Sequence, residues 1–240
     1  MIYIYSKVGA GLLNVESDEP LNGLTVQDCS GTEVNAPVIR KQFEDGKHLY
    51  TLDASRLQCW SPNHPRLYVL QAGEVRQRFG YCELNTLDNR AVLLNGVPLY
   101  LRGCIRGIVA HDHPNMTGGT LRDAAVKYIR QAKKYGFNLV RFHSNVPSPE
   151  FVEAADEEGI LIHLETGFSY EFDRVGTMKK LSMDNARWTE TLLAYRNNPS
   201  LAIFCIGNEM HNSGHQPEVH KLYAEGRKLA PSKLMVDNSG

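Results

Sequence analysis

The feature that most constrains the fold is an unbroken run of six apolar residues, Leu201–Ile206. A run without polar alternation is typical of a strand that is covered on both faces, as in a parallel sheet. Pro199 ends the preceding segment, and the run stops at Gly207, Asn208 and Glu209. In a barrel of parallel strands wrapped by helices, the chemistry lies at the C-terminal ends of the strands. The sequence therefore predicts that Asn208 and Glu209 lie at a strand tip, where a carboxylate can exchange protons with a bound ligand.

Residues 86–240 alternate between strand and helix patterns, which predicts parallel strands joined by right-handed crossovers. The five strand candidates are residues 101–109, 138–143, 160–165, 201–209 and 233–237. Helix starts are marked by capping residues or proline: Thr120 with Asp123, Ser148 with Pro149, Asp184 and Pro217. This spacing matches a TIM (β/α)8 barrel, which needs ~250 residues. We therefore expect an incomplete α/β barrel, the N-terminal part of a catalytic domain, within a longer polypeptide.

Residues 1–85 show strand patterns without a helical period. Short strand candidates recur about every ten residues and are separated by turn-forming residues. This spacing predicts an all-β sandwich of the immunoglobulin type, partial because few strands are visible. A hairpin that turns on Asn95 and Gly96 follows it. The strand candidates are residues 24–27, 38–40, 48–52, 67–71 and 76–84.

The composition argues against several classes of partner. A formal net charge of -1 gives no electrostatic basis for binding nucleic acid or an acidic membrane surface. No apolar run approaches the ~18 residues that cross a bilayer, and the N-terminus lacks the pattern of a signal peptide. The five cysteines are scattered and never spaced as C-x-x-C, which argues against a disulfide framework and a structural zinc site. We expect a soluble protein that is cytoplasmic or, with a signal peptide upstream, periplasmic or secreted. Its assembly state stays open, a homo-oligomer included.

Five stretches, in this order along the chain, resemble glycoside hydrolase family 2, the β-galactosidase and β-glucuronidase family. Asn208 and Glu209 close the last of these stretches, where the family carries its acid/base glutamate. The resemblance covers residues 45–240, and the order of the motifs makes it specific. The stretches are Trp60-Ser61-Pro62 with Leu67-Tyr68, Arg78-Phe79-Gly80-Tyr81, Leu94–Gly103, Asn138-Leu139-Val140-Arg141, and Asn198-Pro199-Ser200 with Ile206–Glu209.

The resemblance implies a retaining glycosidase that hydrolyses a terminal β-glycosidic bond without a cofactor or metal. Such enzymes use two carboxyl groups ~5–5.5 Å apart, one as proton donor and one as nucleophile. Glu209 matches the donor, and Asn208 is expected to hydrogen-bond the sugar hydroxyl next to the reacting carbon. The family's nucleophile lies on a later strand, beyond Gly240. The resemblance therefore implies a carbohydrate substrate and predicts that residues 1–240 alone do not hydrolyse a glycoside at an enzymatic rate.

Five further residues are predicted to bind substrate. Arg141, His143 and Glu165 end the second and third barrel strands, and this position favours a role in lining the pocket. Arg141 could also pair with a site carboxylate and hold it ionised, or form a salt bridge at the barrel rim. His111 and Asp112 lie in the loop after the first strand, where the family has an asparagine with a His-Glu or His-Asp pair.

The sequence departs from the family pattern in three places, and these departures bear on substrate choice. Phe142, His143 and Ser144 replace the usual serine-histidine order after the arginine. Cys205 stands where a serine is common before Gly-Asn-Glu, and the loop around His111 aligns poorly with its counterpart.

Two alternatives remain open. His111 and His113, after the first strand, resemble the zinc-binding pair of metal-dependent amidohydrolases. That hypothesis needs further histidines at later strand tips, but the fifth strand ends in Asp237, Asn238 and Ser239. The other alternative is a non-catalytic carbohydrate-binding or scaffold fragment.

Overall fold

The computed structural model describes residues 1–88, 90–106, 119–169, 185–210 and 217–239. The chain divides into two compact units. The first comprises Met1–Tyr100 with Asn197–Pro199, and the second comprises Leu101–Arg196 with Ser200–Gly240. The sequence pattern changes near residue 86, and residues 86–100 belong by their contacts to the first unit.

The first unit is built from antiparallel strands. Two four-stranded sheets have the orders β1-β2-β6-β5 and β4-β3-β7-β8, and a three-stranded sheet has the order β11-β10-β9. The strands are β1 Ile2–Lys7, β2 Leu12–Ser17, β3 Thr25–Asp28, β4 Glu33–Val34, β5 Val38–Glu44, β6 Lys47–Asp53, β7 Tyr68–Ala72, β8 Val75–Phe79, β9 Leu84–Leu87, β10 Ala91–Leu94 and β11 Val97–Leu99.

The two four-stranded sheets share one hydrophobic core. Leu13 and Val15 of β2 and Leu70 of β7 are fully buried in it, because alternate residues of each strand face the opposite sheet. β1 and β2 are absent from the strand candidates of the sequence. Ile2–Lys7 lacks the alternation of polar and apolar residues, and only its β-branched and aromatic content indicates a strand.

The second unit contains a five-stranded parallel sheet of order β12-β13-β14-β15-β16. The predicted alternation is confirmed, since a helix lies between each strand and the next. The predicted direction is confirmed as well, since each neighbouring pair of strands is parallel. In chain order the elements are β12 Gly103–Arg106, α1 Leu121–Lys134, β13 Leu139–Phe142, α2 Pro149–Glu158, β14 Leu161–Ser169, α3 Asn185–Tyr195, β15 Leu201–Asn208, α4 Pro217–Leu229 and β16 Leu234–Ser239.

Local capping signals define the ends of these helices. Thr120 and Asp123 form the predicted capping box of α1: the Thr120 hydroxyl accepts the Asp123 N–H at 3.1 Å, and the Asp123 carboxylate accepts the Thr120 N–H at 2.9 Å. Ser148 caps α2, and Gly159 ends it with a φ of 74°. The predicted cap Asp184 lies outside the described residues.

Alternation along the parallel strands separates a helix-facing side from a polar side. Phe142, Leu164, Phe204 and Ile206 belong to the hydrophobic core that the helices also line. The neighbours of these residues along β13 and β14, such as Arg141 and Glu165, must therefore face the other side of the sheet. This places charged groups on the side of the sheet opposite the helix-lined core.

Candidate active site

Polar side chains from four neighbouring strands meet near the C-terminal edge of the parallel sheet. The prediction that Glu165 ends its strand is wrong, because β14 continues to Ser169 and Glu165 lies in its middle. Arg141 comes from β13, Glu165 from β14, Asn208 from β15 and Ser239 from β16. The strands lie next to each other in the sheet, so residues far apart in sequence come within hydrogen-bonding distance. This edge is where the sequence predicts the site.

The Arg141 guanidinium donates hydrogen bonds to the other three side chains of this cluster. Its Nε donates to Glu165 Oε1, and its Nη2 donates to Asn208 Oδ1 at 2.6 Å and to Ser239 Oγ at 3.1 Å. A planar guanidinium holds several acceptors in a fixed geometry, so it ties three strands to its own. The Arg141 side chain keeps an exposed fraction of 21% and is therefore partly accessible to solvent.

Glu165 is fully buried, with an exposed fraction of 0%. Its Oε2 accepts the Ser144 N–H at 2.9 Å, and its Oε1 accepts from Ser239 Oγ at 2.7 Å and from Arg141. Burial by itself raises the pKa of the carboxyl, but the donated hydrogen bonds and the Arg141 charge outweigh it and hold the pKa below its usual value. Glu165 is therefore an ionised carboxylate whose oxygens already face protein donors.

Asn208 and Glu209 differ sharply in exposure at the end of β15. Asn208 is 1% exposed, and its Nδ2 has no hydrogen-bond partner among the described residues, while Oδ1 is held by Arg141. Glu209 is exposed and has a left-handed backbone with a φ of 51°. Its N–H donates to the Ser239 carbonyl at 2.9 Å. A buried amide with a spare donor thus adjoins an accessible carboxylate.

Asn238 of β16 binds the residue that follows Glu209. Its Oδ1 accepts the Met210 N–H at 2.9 Å, and its Nδ2 donates to the Met210 carbonyl at 3.3 Å. Ser144, Asn238 and Ser239 are absent from the site residues proposed from the sequence. The signal that could have found Asn238 and Ser239 is their position at the end of the fifth strand.

Two histidines lie close to the cluster in sequence. His143 follows β13, is partly exposed, and donates its backbone N–H to the Arg106 carbonyl at 2.9 Å. His163 is paired with Arg141 in the β13–β14 ladder, and its Nε2 is buried without a hydrogen-bond partner in the described chain. Burial lowers the pKa of His163 to about 4; the Glu165 charge opposes this with a smaller effect, and the Arg141 charge lowers the pKa further. His163 is therefore neutral at pH 7.

His111, Asp112 and His113 lie outside the described residues. Within the described ranges, no group of three or more His, Cys, Asp or Glu side chains could hold a metal ion. No helix in the described part of the chain is long and apolar enough to cross a membrane.

The family model of the glycosyl hydrolases family 2 TIM barrel domain matches residues 86–239. A β-galactosidase from Vibrio vulnificus (strain CMCP6) is 26% identical over 218 residues, which cover 84% of this chain and 20% of the relative. A putative β-glucuronidase from Formosa agariphila is 28% identical over 198 residues, which cover 77% of this chain and 23% of the relative. The chain spans about a fifth of the length of the curated relatives it matches.

Solved structures share the fold over nearly the whole chain. A β-glycosidase from Bacteroides vulgatus superposes with a TM-score of 0.74 at 18% identity, covering 100% of this chain and 33% of that one. The β-glucuronidase 3 of Bacteroides uniformis gives a TM-score of 0.69 at 20% identity, covering 98% of this chain and 32% of that one.

Proposed function

Because this chain belongs to glycosyl hydrolase family 2, we propose that it carries the acid/base part of a glycosidase active site. The observation that carries this proposal is the pair Asn208 and Glu209 at the tip of β15, a buried amide beside an accessible carboxylate. The proposed reaction is the retaining hydrolysis of a terminal β-glycosidic bond. Relatives named β-galactosidase and putative β-glucuronidase support β-galactosides and β-glucuronides as the first substrate classes to test.

Glu209 is proposed to act twice in this reaction. Its protonated carboxyl donates a proton to the glycosidic oxygen as the bond from that oxygen to the anomeric carbon breaks and a second carboxylate, the nucleophile, bonds to that carbon. Its carboxylate then takes a proton from the water that attacks the anomeric carbon and displaces the nucleophile. The exposure of Glu209 supports this role, since a general acid must reach the leaving-group oxygen.

Asn208 is proposed to bind the sugar hydroxyl next to the reacting carbon. Arg141 occupies its Oδ1, so the amide is held with the Nδ2 donor free of partners among the described residues. A buried donor without a partner is costly, and a ligand oxygen that accepts its hydrogen bond would remove this cost.

Arg141 and Glu165 are proposed to orient Asn208. The Glu165 carboxylate is buried and accepts hydrogen bonds from Arg141, Ser144 and Ser239. It is therefore proposed to act through Arg141, rather than through the direct contact with substrate that the sequence predicts. The Arg141 side chain is partly accessible, and it is proposed to contact the substrate as the sequence predicts.

His143, His111 and Asp112 remain predicted substrate-binding residues. The nucleophile is proposed to be a second carboxylate outside residues 1–240, which would leave these residues alone without enzymatic turnover. The short span of the chain relative to its relatives supports this part of the proposal. The two-sheet sandwich of the first unit is proposed to be of the immunoglobulin type.

The test is Glu209→Gln in the intact polypeptide that contains these residues. Aryl glycosides with poor leaving groups need protonation of the departing oxygen, whereas activated aryl glycosides do not. We expect the variant to lose nearly all turnover of the former and to retain the first, bond-breaking step with the latter, measured as the burst of released phenol. Equal losses with both substrate types would refute the role of Glu209.

Glu218→Gln serves as the matched control, because Glu218 is an exposed glutamate in the first turn of α4. It should leave both rates unchanged. Binding of a galactoside or glucuronide without any hydrolysis by the intact wild-type polypeptide would favour the non-catalytic alternative instead.

A further inference from the structure

Asn238 makes a two-point contact with one backbone residue. Its side-chain amide accepts from the Met210 N–H at 2.9 Å and donates to the Met210 carbonyl at 3.3 Å. A carboxamide carries a donor and an acceptor on one rigid plane, so it can bind the N–H and the carbonyl of the same residue. The residue held is the one that directly follows Glu209.

Glu209 has a backbone conformation that glutamate rarely adopts. Its φ of 51° lies in the left-handed region, where the β-carbon of an L-residue crowds the following carbonyl oxygen. Such a conformation is unfavourable for glutamate and persists only where the surrounding structure enforces it. A relaxed Glu209 would rotate toward negative φ, and its carboxyl group would point elsewhere.

Three hydrogen bonds from the β16 tip oppose this relaxation. The Ser239 carbonyl accepts the Glu209 N–H at 2.9 Å, and Asn238 holds both polar backbone groups of Met210. The backbone on the C-terminal side of Glu209 is therefore anchored by the Asn238 side chain. Because the Ser239 contact uses a backbone carbonyl, Asn238 is the member of this anchor that a substitution can remove.

We propose that Asn238 is a positioning residue for Glu209, one that holds the left-handed backbone and so aims the carboxyl group at the leaving-group oxygen. The proposal rests on the proposed function of Glu209. It predicts a selective defect: loss of Asn238 should impair the steps in which Glu209 transfers a proton and spare substrate binding by Asn208 and Arg141.

The experiment compares Asn238→Ala, Asn238→Asp and Glu209→Gln in the intact polypeptide. The measurement is kcat/KM for a series of aryl β-galactosides or β-glucuronides of increasing leaving-group pKa. Misplacement of a catalytic group by about 1 Å can cost ~100-fold in rate. We expect Asn238→Ala to lose roughly 10- to 100-fold with the poorest leaving group and less than about 3-fold with the best.

Asn238→Asp separates the two halves of the contact. Aspartate keeps an acceptor for the Met210 N–H but replaces the donor with an oxygen that repels the Met210 carbonyl. We expect an intermediate loss with the same dependence on leaving group. If the alanine variant fails to fold, as judged by its thermal unfolding, the aspartate variant decides the question.

Asn63→Ala is the control, since Asn63 is an exposed asparagine of the first unit. It should behave as the wild type with every substrate. A loss in the Asn238 variants that is equal for good and poor leaving groups would show a purely structural role and overturn the inference, as would wild-type rates in a folded variant.

Glu209→Gln distinguishes failure of this inference from failure of the proposed function. If kcat/KM of Glu209→Gln depends steeply on the leaving-group pKa and that of the Asn238 variants does not, only the positioning role of Asn238 is refuted. If kcat/KM of Glu209→Gln shows no such dependence, both the acid/base role of Glu209 and the positioning role of Asn238 are refuted.

Discussion

Replacing Glu165 by glutamine removes a buried negative charge and keeps the size of the side chain. Glu165 is 0% exposed and accepts hydrogen bonds from Arg141, Ser144 and Ser239. Removing one partner of a buried ion pair typically costs ~3–5 kcal/mol, because the other charge stays buried without compensation. Arg141 remains 21% exposed and is still partly hydrated, so we expect the second unit to lose about 2–4 kcal/mol.

The unfolding of the second unit can be measured separately from that of the first unit. The chain has two tryptophans, Trp60 in the first unit and Trp188 in the second. In a Trp60→Phe background, urea unfolding monitored by fluorescence reports on Trp188, which is fully buried and donates its Nε1–H to the Leu222 carbonyl at 3.0 Å. We expect Glu165→Gln to lower the midpoint without changing the slope with urea concentration.

The lowered pKa of Glu165 predicts the direction in which the stability difference between wild type and Glu165→Gln changes with pH. The pKa of Glu165 is lowered in the folded protein, so the unfolded chain takes up the proton first as the pH falls. The stability difference between wild type and Glu165→Gln should therefore be constant above pH ~4.3 and shrink below it.

Glu158→Gln is the matched control for Glu165→Gln. Glu158 also binds a guanidinium through two hydrogen bonds, at 2.8 and 2.9 Å, but its partner Arg130 is 68% exposed. Ion pairs of this exposure contribute ~0–1 kcal/mol. If Glu165→Gln costs no more than Glu158→Gln, the reasoning from burial is refuted.

Two further substitutions test the packing and the charge state of the described residues. An added methyl group at Gly80 would lie 2.7 Å from Pro199 Cβ and 2.9 Å from Trp60 Cβ, so Gly80→Ala should cost ~1–3 kcal/mol in thermal unfolding. Gly9→Ala, whose methyl group would meet nothing within 4 Å, should cost clearly less, and equal losses would contradict the packing argument. The pKa of His163 is lowered to about 4 by burial, so the unfolded chain binds the proton first and wild-type stability should fall as the pH drops from ~6.5 toward 4. His163→Leu should remove this part of the decline, measured as urea midpoints at several pH values, and an unchanged pH dependence would refute the assignment of a buried neutral histidine.

Much of the second unit could be predicted because its signals are local. The capping box of Thr120 and Asp123 and the start of α4 at Pro217 depend on residues within one turn of a helix. The apolar run Leu201–Ile206 forms the first six residues of β15, a strand that is buried throughout, so the position of this strand follows from the sequence directly. In the first unit, β1 lacks polar alternation, and its pairing with β2 appears only in the folded sheet.

The face on which Asn208 presents its side chain could not be predicted. Strict alternation would place Asn208 on the same side as Ile206, which packs in the helix-facing core. Its Oδ1 instead lies 2.6 Å from Arg141 Nη2. Similarly, nothing in the sequence near Glu209 indicates a left-handed backbone, since that position is occupied by neither glycine nor asparagine.

The sequence by itself determined that Asn208 and Glu209 lie at a strand end, because strand period, helix caps and apolar runs act over a few neighbouring positions. Only the tertiary structure placed Glu165 in the middle of β14 and decided which polar side chains meet. Arg141 binds residues 24, 67 and 98 positions away in the chain, Glu165, Asn208 and Ser239. Such partners are chosen by the register of four parallel strands, and that register exists only once the helices have packed against the sheet.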